Sequence, residues 1–239
     1  MKKIFTSISI ILITLISISA SAQVKSYIAL YGGISTPQGD FAKSSYDNNQ
    51  AGYAKRGVTF GLDGAVYFYK KLAIGATISF QDQGKLTYDD VYAMAAGYTS
   101  SFAADNATVT AVNRYHNWNI LVGPQYSFEF SNFIVDVRAS AGIIKSISTP
   151  EFTNQVSGVP TQATVFYQRS ASETIFGYGG NLGLRYKLSD GFMIGIKGSY
   201  IDSQGLTITN DGRTSNVGRL VTKQPLSEFQ TTFGFTIAF

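Results

Sequence analysis

The feature that most constrains this chain is a two-residue alternation that recurs along its length. Phe229, Thr231, Phe233, Phe235, Ile237 and Phe239 share one parity, and Gln230, Thr232, Gly234, Thr236 and Ala238 share the other. Side chains of a strand point alternately to opposite faces, so this segment is a strand with one large apolar face and one small or polar face. Seven more segments repeat the pattern: 26–35, 58–68, 72–81, 118–128, 133–143, 176–186 and 192–200. In each, Ile, Leu, Val, Phe or Tyr alternates with Gly, Ala, Ser, Thr, Gln or an occasional charge.

Such a set of strands must hide its apolar faces somewhere. A soluble sandwich turns them inward and presents polar residues to water. Here the other face is made of small residues, which suit the tight interior of an eight-stranded barrel better than a watery surface. Charged residues make up 14% of the chain, against about 25% in an ordinary soluble domain. The expectation is therefore an inside-out, all-β structure: an eight-stranded antiparallel up-and-down transmembrane β-barrel with short periplasmic turns and long extracellular loops. Segments of about ten residues are long enough to cross a bilayer when tilted. The connections support this. Those at 70–71, 130–132 and 189–191 are tight, whereas 36–56, 82–114, 147–172 and 203–226 are long. Both chain ends then fall on the short-turn side.

The first residues read as an export signal. Met1-Lys2-Lys3 precedes an apolar run from Ile4 to Ser19, and Ala20-Ser21-Ala22 fits the small-residue cleavage pattern. The apolar run is short for a membrane anchor. The expected division is residues 1–22 as a cleaved signal peptide and 23–239 as the barrel domain, with cleavage between Ala22 and Gln23. Losing Lys2 and Lys3 takes the formal charge from +4 to +2. That is too small to imply a nucleic-acid partner. The absence of cysteine excludes disulfides, thiolate metal sites and thiol nucleophiles.

Charges are few on the inward face. Asp63, Asp136, Arg138, Arg185 and Lys197 fall there, with Lys187 and, near the upper rim, Glu228. Unpaired buried charge is costly, so these residues are expected to pair across the lumen as a structural network that fills it; the alternative is a gated path for ions or protons. Aromatic residues cluster where interfaces would want them. Tyr67, Tyr69, Phe128, Tyr186 and Phe192 are assigned to a girdle at the short-turn end, and Trp118, with Tyr53, Tyr115, Tyr178 and Tyr200, to one near the long loops. Strand-forming preference alone also enriches aromatics.

Catalytic and cofactor signals are weak. His116 is the lone histidine, and its neighbours Tyr115, Asn117 and Trp118 supply neither a serine nor an acid for a nucleophilic triad. A histidine metal site would need further ligands, and the loop acids Asp82, Asp89, Asp90 and Asp105 lack calcium-loop spacing. Gly177, Gly179, Gly180 and Gly183 superficially match a dinucleotide loop, but no strand–turn–helix unit surrounds them. No catalytic residue, cofactor or metal is expected. The second long loop carries Tyr88, Tyr92, Tyr98 and Phe102, and 91–96 could form a short helix. Loops rich in Tyr, Ser, Asn and Gly on a rigid scaffold suit surface contacts.

Tyr31-Gly32-Gly33-Ile34-Ser35, Val122-Gly123-Pro124, the hairpin rhythm and the final Phe239 together resemble the small bacterial outer-membrane β-barrel domain family, of the eight-stranded OmpA/OmpX-like type. The resemblance spans residues 23–239. It implies an outer-membrane location in a Gram-negative-type bacterium, with lipid and lipopolysaccharide around the barrel. It also implies periplasmic chaperones and barrel-insertion machinery as partners, with Phe239 as the insertion signal. Pro124, a donor-less residue inside a strand, implies a local bulge. The functional expectation is non-enzymatic: surface interaction, adhesion or envelope integrity through an extracellular partner of the loops. The alternatives are a small pore or conduit for ions or apolar solutes, and a lipid A-modifying barrel enzyme.

Overall fold

A computed structural model describes residues 24–158, 164–212 and 220–239. The signal segment 1–22 and its cleavage point lie outside the described residues. Eight strands close on themselves: β1 (Tyr27–Pro37), β2 (Lys55–Tyr69), β3 (Leu72–Gly84), β5 (His116–Phe130), β6 (Phe133–Ser148), β9 (Thr174–Lys187), β10 (Phe192–Ser203) and β13 (Glu228–Ala238). Their order around the barrel is β1-β13-β10-β9-β6-β5-β3-β2. Every pairing is antiparallel, and the seam joins the first strand to the last from Tyr27↔Ala238 to Pro37↔Glu228.

The alternation decides which way each side chain points. Large apolar residues face outward, Phe235 being 65% exposed, whereas inward Arg138 is 2% exposed. The tight turns fall where expected, and Lys70 and Ser131 hold φ of 45° and 52°. Left-handed turn residues match the right-handed twist of the flanking strands. Pro124 produces no bulge. The β5–β6 ladder skips Gly123 and Pro124 and resumes in the same register, from Val122↔Ala141 to Gln125↔Arg138. The missing donor leaves a gap in one ladder and needs no extra residue.

The long connections carry secondary structure of their own, which adds to the sequence expectation. They fold into a cap containing α1 (Gly39–Ala42), α2 (Tyr88–Phe102) and the strands β4 (Asn106–Val112), β7 (Glu151–Ser157), β8 (Thr164–Gln168), β11 (Leu206–Gly212) and β12 (Leu220–Gln224). These strands form one sheet in the order β12-β11-β8-β7-β4. Each hairpin of the sheet prolongs a barrel hairpin beyond a break: Thr149-Pro150 after β6, Gln204-Gly205 after β10, and Pro225-Leu226-Ser227 before β13. Proline interrupts a ladder and Gly205 takes φ of 91°, so the strand can leave the barrel wall there. The helix α2 has 15 residues, longer than the short stretch expected. Thr87 starts it with a capping box to Asp90, and Ala103 ends it at φ of 46°.

Packing divides the interior into layers. Tyr27, Tyr67, Ala73, Ile134 and Met193 form an apolar cluster at the short-turn end. Phe41, Leu121, Ile144, Ile175, Ile201 and Leu206 form another between the lumen and the cap. A third, built on Tyr53, Met94, Val109 and Phe152, ties the first loop, α2 and the sheet together.

Candidate functional site

The five charges picked out on the inward face are brought together in two clusters. Asp63 on β2 accepts from Arg138 Nη1 at 2.8 Å and Nη2 at 3.1 Å, from Lys197 Nζ at 3.1 Å and from Thr77 Oγ1 at 2.6 Å. Asp136 on β6 accepts from Arg185 Nε at 2.6 Å and Nη2 at 2.8 Å, a bidentate pairing. Gln125 links the two, accepting from Arg138 Nε at 2.9 Å and donating to Asp136 Oδ1 at 3.2 Å. Aromatic rings complete the cage. The Arg185 guanidinium lies 3.8 Å from the Tyr27 ring centroid, and Lys197 Nζ lies 4.0 Å from that of Tyr31. Gly75 makes the room: a Cβ there would stand 2.2 Å from Arg138 Nε.

Tyr67 belongs to this network and not to an outer girdle. It shares parity with Asp63 and Ala65, is buried, and its hydroxyl accepts from Arg185 Nη2 at 3.1 Å and Gln125 Nε2 at 3.0 Å. Tyr69, Trp118, Phe128, Tyr186 and Phe192 do point outward and are exposed. Tyr53 and Tyr115 do not: both are buried, in the cap and in the apolar layer beneath it. Phe239 is exposed, and its backbone N–H donates to Ser26 O at 2.9 Å beside the seam.

Above the ion pairs sits a layer around Glu228, whose place near the upper rim follows from parity but whose amide partners sequence reasoning did not find. The Glu228 carboxylate is buried and held by Ser35, by Gln83 Nε2 at 3.1 Å, by Asn119 Nδ2 at 3.1 Å and by Gln230 Nε2 at 3.0 Å. The shared parity of Gln81, Gln83, Asn117 and Asn119 on adjacent strands was the available signal. The space left beside Arg185 and Lys197 is about 40 Å³. A single water needs roughly 10–15 Å³ on this measure, so the gap has room for only a few. With apolar layers at both ends, the lumen is filled.

His116 has partners that neighbours along the chain could not reveal. Asp82 on β3 lies 3.1 Å from its Nε2, and Ser148 Oγ on β6 lies 2.8 Å from its Nδ1. A serine, a histidine and an acid thus stand in a row on three adjacent strands, correcting the expectation of none. Two contacts bend this row away from catalysis. The Ser148 hydroxyl donates to Arg114 O at 2.8 Å, and Arg114 Nε pairs with the same Asp82 oxygen at 2.8 Å. The serine proton and the acid are both engaged elsewhere.

The cap holds a cavity among its described residues. It is about 360 Å³ and opens between the first loop, α2 and one face of the sheet. Tyr46 and Tyr98 meet edge-on in its wall, with centroids 4.9 Å apart and planes at 70°. Asn154 lies in its floor, 4% exposed, with Nδ2 donating to Tyr98 OH at 2.8 Å. Burial pushes the Tyr53 and Tyr98 phenols up to about 12, so both are neutral hydroxyls at physiological pH. At the foot of α2, burial opposes ionisation of Asp90. Hydrogen bonds from Lys55 (2.7 Å) and Thr87 outweigh it and hold the carboxyl at about 2.

A closed barrel with an apolar exterior, a polar packed interior and a cap on one end is the architecture of an outer-membrane protein. No helix among the described residues is long and apolar enough to cross a membrane; strands are the crossing elements. The model of the outer membrane protein beta-barrel domain family matches residues 8–220, and the chain belongs to that family. Among solved structures it is similar to Neisserial surface protein A, at 10% identity and TM-score 0.47, over 90% of this chain and 97% of that one. It is also similar to Ail, the attachment invasion locus protein of Yersinia pestis, at 13% identity and TM-score 0.42, over 91% and 99%. OprG from Pseudomonas aeruginosa matches at 13% identity and TM-score 0.43, over 91% and 98%. No curated protein matches.

Proposed function

We propose that this outer-membrane barrel is non-enzymatic and works through its extracellular cap, in surface interaction or adhesion. The observation that carries this reading is that the long connections fold into a cored unit. α2, the five-stranded sheet and the first loop share the cluster Tyr53, Met94, Val109 and Phe152. A connection kept only for solubility has no need of its own core, whereas rigid presentation is what recognition requires. The lumen network of Asp63, Asp136, Arg138, Arg185 and Lys197 acts structurally, and the outward aromatics Tyr69, Trp118, Phe128, Tyr186 and Phe192 seat the barrel in the lipid. The chain reaches the membrane after cleavage between Ala22 and Gln23.

The test replaces residues 86–113 by a short Gly/Ser linker and measures attachment of expressing cells to other cells and to coated surfaces. Attachment is expected to fall to background while the barrel keeps its heat-dependent shift in gel mobility. Unchanged attachment, with the protein shown at the surface, would remove the cap from the function.

One observation favours a second reading, hydrolysis of outer-leaflet lipid: the row Ser148, His116 and Asp82. The engaged Ser148 proton and the Arg114–Asp82 pair weigh against it. Mass spectrometry of lipid A from cells carrying His116→Ala is expected to match wild type, and a lost modification would reinstate the enzyme.

A further inference from the structure

We infer that the cavity between the first loop, α2 and the sheet is a binding site for the terminal unit of a neutral glycan. This rests on the reading of the cap as an interaction unit and adds the chemistry of what it takes.

The site is built before any ligand arrives. Its volume of about 360 Å³ is at the small end of ordinary ligand pockets, about 300–1,000 Å³. That size suits one end of a sugar chain and not its length. The Tyr46 ring lies so close over α2 that a Cβ on Gly97 would stand 2.3 Å from Tyr46 Cγ. Tyr53 holds φ of 53°, an uncommon conformation for a bulky residue and one kept only where surrounding packing enforces it. A wall fixed this firmly loses little freedom on binding.

Asn154 supplies the second observation. Its amide is buried, one end is satisfied by Tyr98 OH, and the side-chain oxygen Oδ1 has no partner. Buried polar atoms are nearly always paired, so an orphan in a cavity floor marks where a partner belongs. A ligand hydroxyl donating to Oδ1 is that partner. Tyr46, backed by Tyr98 whose own ring stacks on Phe102 and Phe166, offers an apolar ring beside a polar tip, the combination that receives the C–H face of a pyranose ring while its hydroxyls reach amides.

Charge and position select among ligands. None of the described residues lining the cavity is Asp, Glu, Lys or Arg, so a sulfated, phosphorylated or sialylated sugar finds no counter-ion. An acyl chain would leave Asn154 Oδ1 without a partner. A peptide adding itself as a strand pairs with a sheet edge, and Val221 and Thr222 bring the edge strand β12 into the cavity wall, so uncharged peptides are the competing ligand in the test below.

The experiment uses the full-length mature barrel, folded in detergent micelles, on an array of sugars ending in glucose, galactose, mannose or N-acetylglucosamine. Sulfated and sialylated sugars and uncharged peptides are included, and the strongest neutral hit is titrated by calorimetry. Neutral glycans are expected to bind, and Asn154→Leu and Tyr46→Ala each to weaken the hit at least tenfold with the heat-dependent gel shift retained. Should Asn154→Leu fail to fold, Tyr46→Ala alone carries the comparison. Binding only to anionic sugars or peptides, a blank array, or wild-type affinity in the variants would overturn the inference. If the array is blank while cap-dependent cell attachment persists, the glycan assignment falls and the interaction role stands. If attachment is also independent of the cap, both fall.

Discussion

At the scale of single residues, Arg138 does the most to hold the interior together. It reaches Asp63, Gln125, Thr77, Tyr27 and the Gly64 carbonyl, and it fits only because Gly75 has no side chain. Removing one partner of a buried ion pair strands the other, at about 3–5 kcal/mol. Arg138→Ala is therefore expected to lower the temperature of the boiled-to-unboiled gel transition markedly. Gly75→Ala should do so too, by displacing the guanidinium. A transition unchanged in both variants would mean the network contributes nothing to stability. The charges were legible because parity alone puts Asp63, Asp136, Arg138, Arg185 and Lys197 inside. Their pairing was not, because it depends on strand register around the barrel. Tyr67 misleads in the opposite way: the preference of aromatics for interfaces competes with its parity with Asp63, and parity decides its side. Asp82 and Ser148 were hidden from His116 because cross-strand neighbours are remote in sequence.

Among the elements, α2 tests how the cap is anchored. Thr87 and Asp90 cap each other at its start, and Lys55 pairs with Asp90 at 2.7 Å. Losing an N-cap costs about 1 kcal/mol, so Thr87→Ala should speed hydrogen exchange across residues 88–102 and leave the barrel strands unchanged. The same helix should respond to acid. The folded Asp90 carboxyl titrates at about 2, below its ordinary value of 3.8. Its contribution is thus complete above that ordinary value and is lost as pH falls toward 2. Exchange in α2 is expected to rise over that window in wild type, and Asp90→Asn should already be fast at pH 7. The eight barrel strands could be read from alternation because each is long and two-sided. The cap strands are five to seven residues long, such as LVTKQ in β12 and EFTNQVS in β7. Too short to display a period, they are made strands by pairing with distant partners such as β4 with β7.

For the whole molecule, the division of labour follows from the layers: apolar clusters at both ends of the lumen, paired charges and amides between, and a cored cap above. Purified protein in planar bilayers is expected to give no conductance above that of the bare membrane. Steady current steps altered by Lys197→Gln would replace the filled lumen by a conduit. The apolar seal was present in the sequence, since Leu121 and Ile144 share parity with the inward polar residues, but isolated apolar residues on a polar face look incidental until adjacent strands align them. A surface role turns most directly on which side of the membrane the cap occupies. The chain has no cysteine, so single substitutions Tyr92→Cys on α2 and Asp190→Cys in the β9–β10 turn give clean reporters. Treated on intact cells with a membrane-impermeant maleimide, Tyr92→Cys should label at once and Asp190→Cys only after the outer membrane is opened. The reverse pattern would place the cap in the periplasm and contradict a surface role.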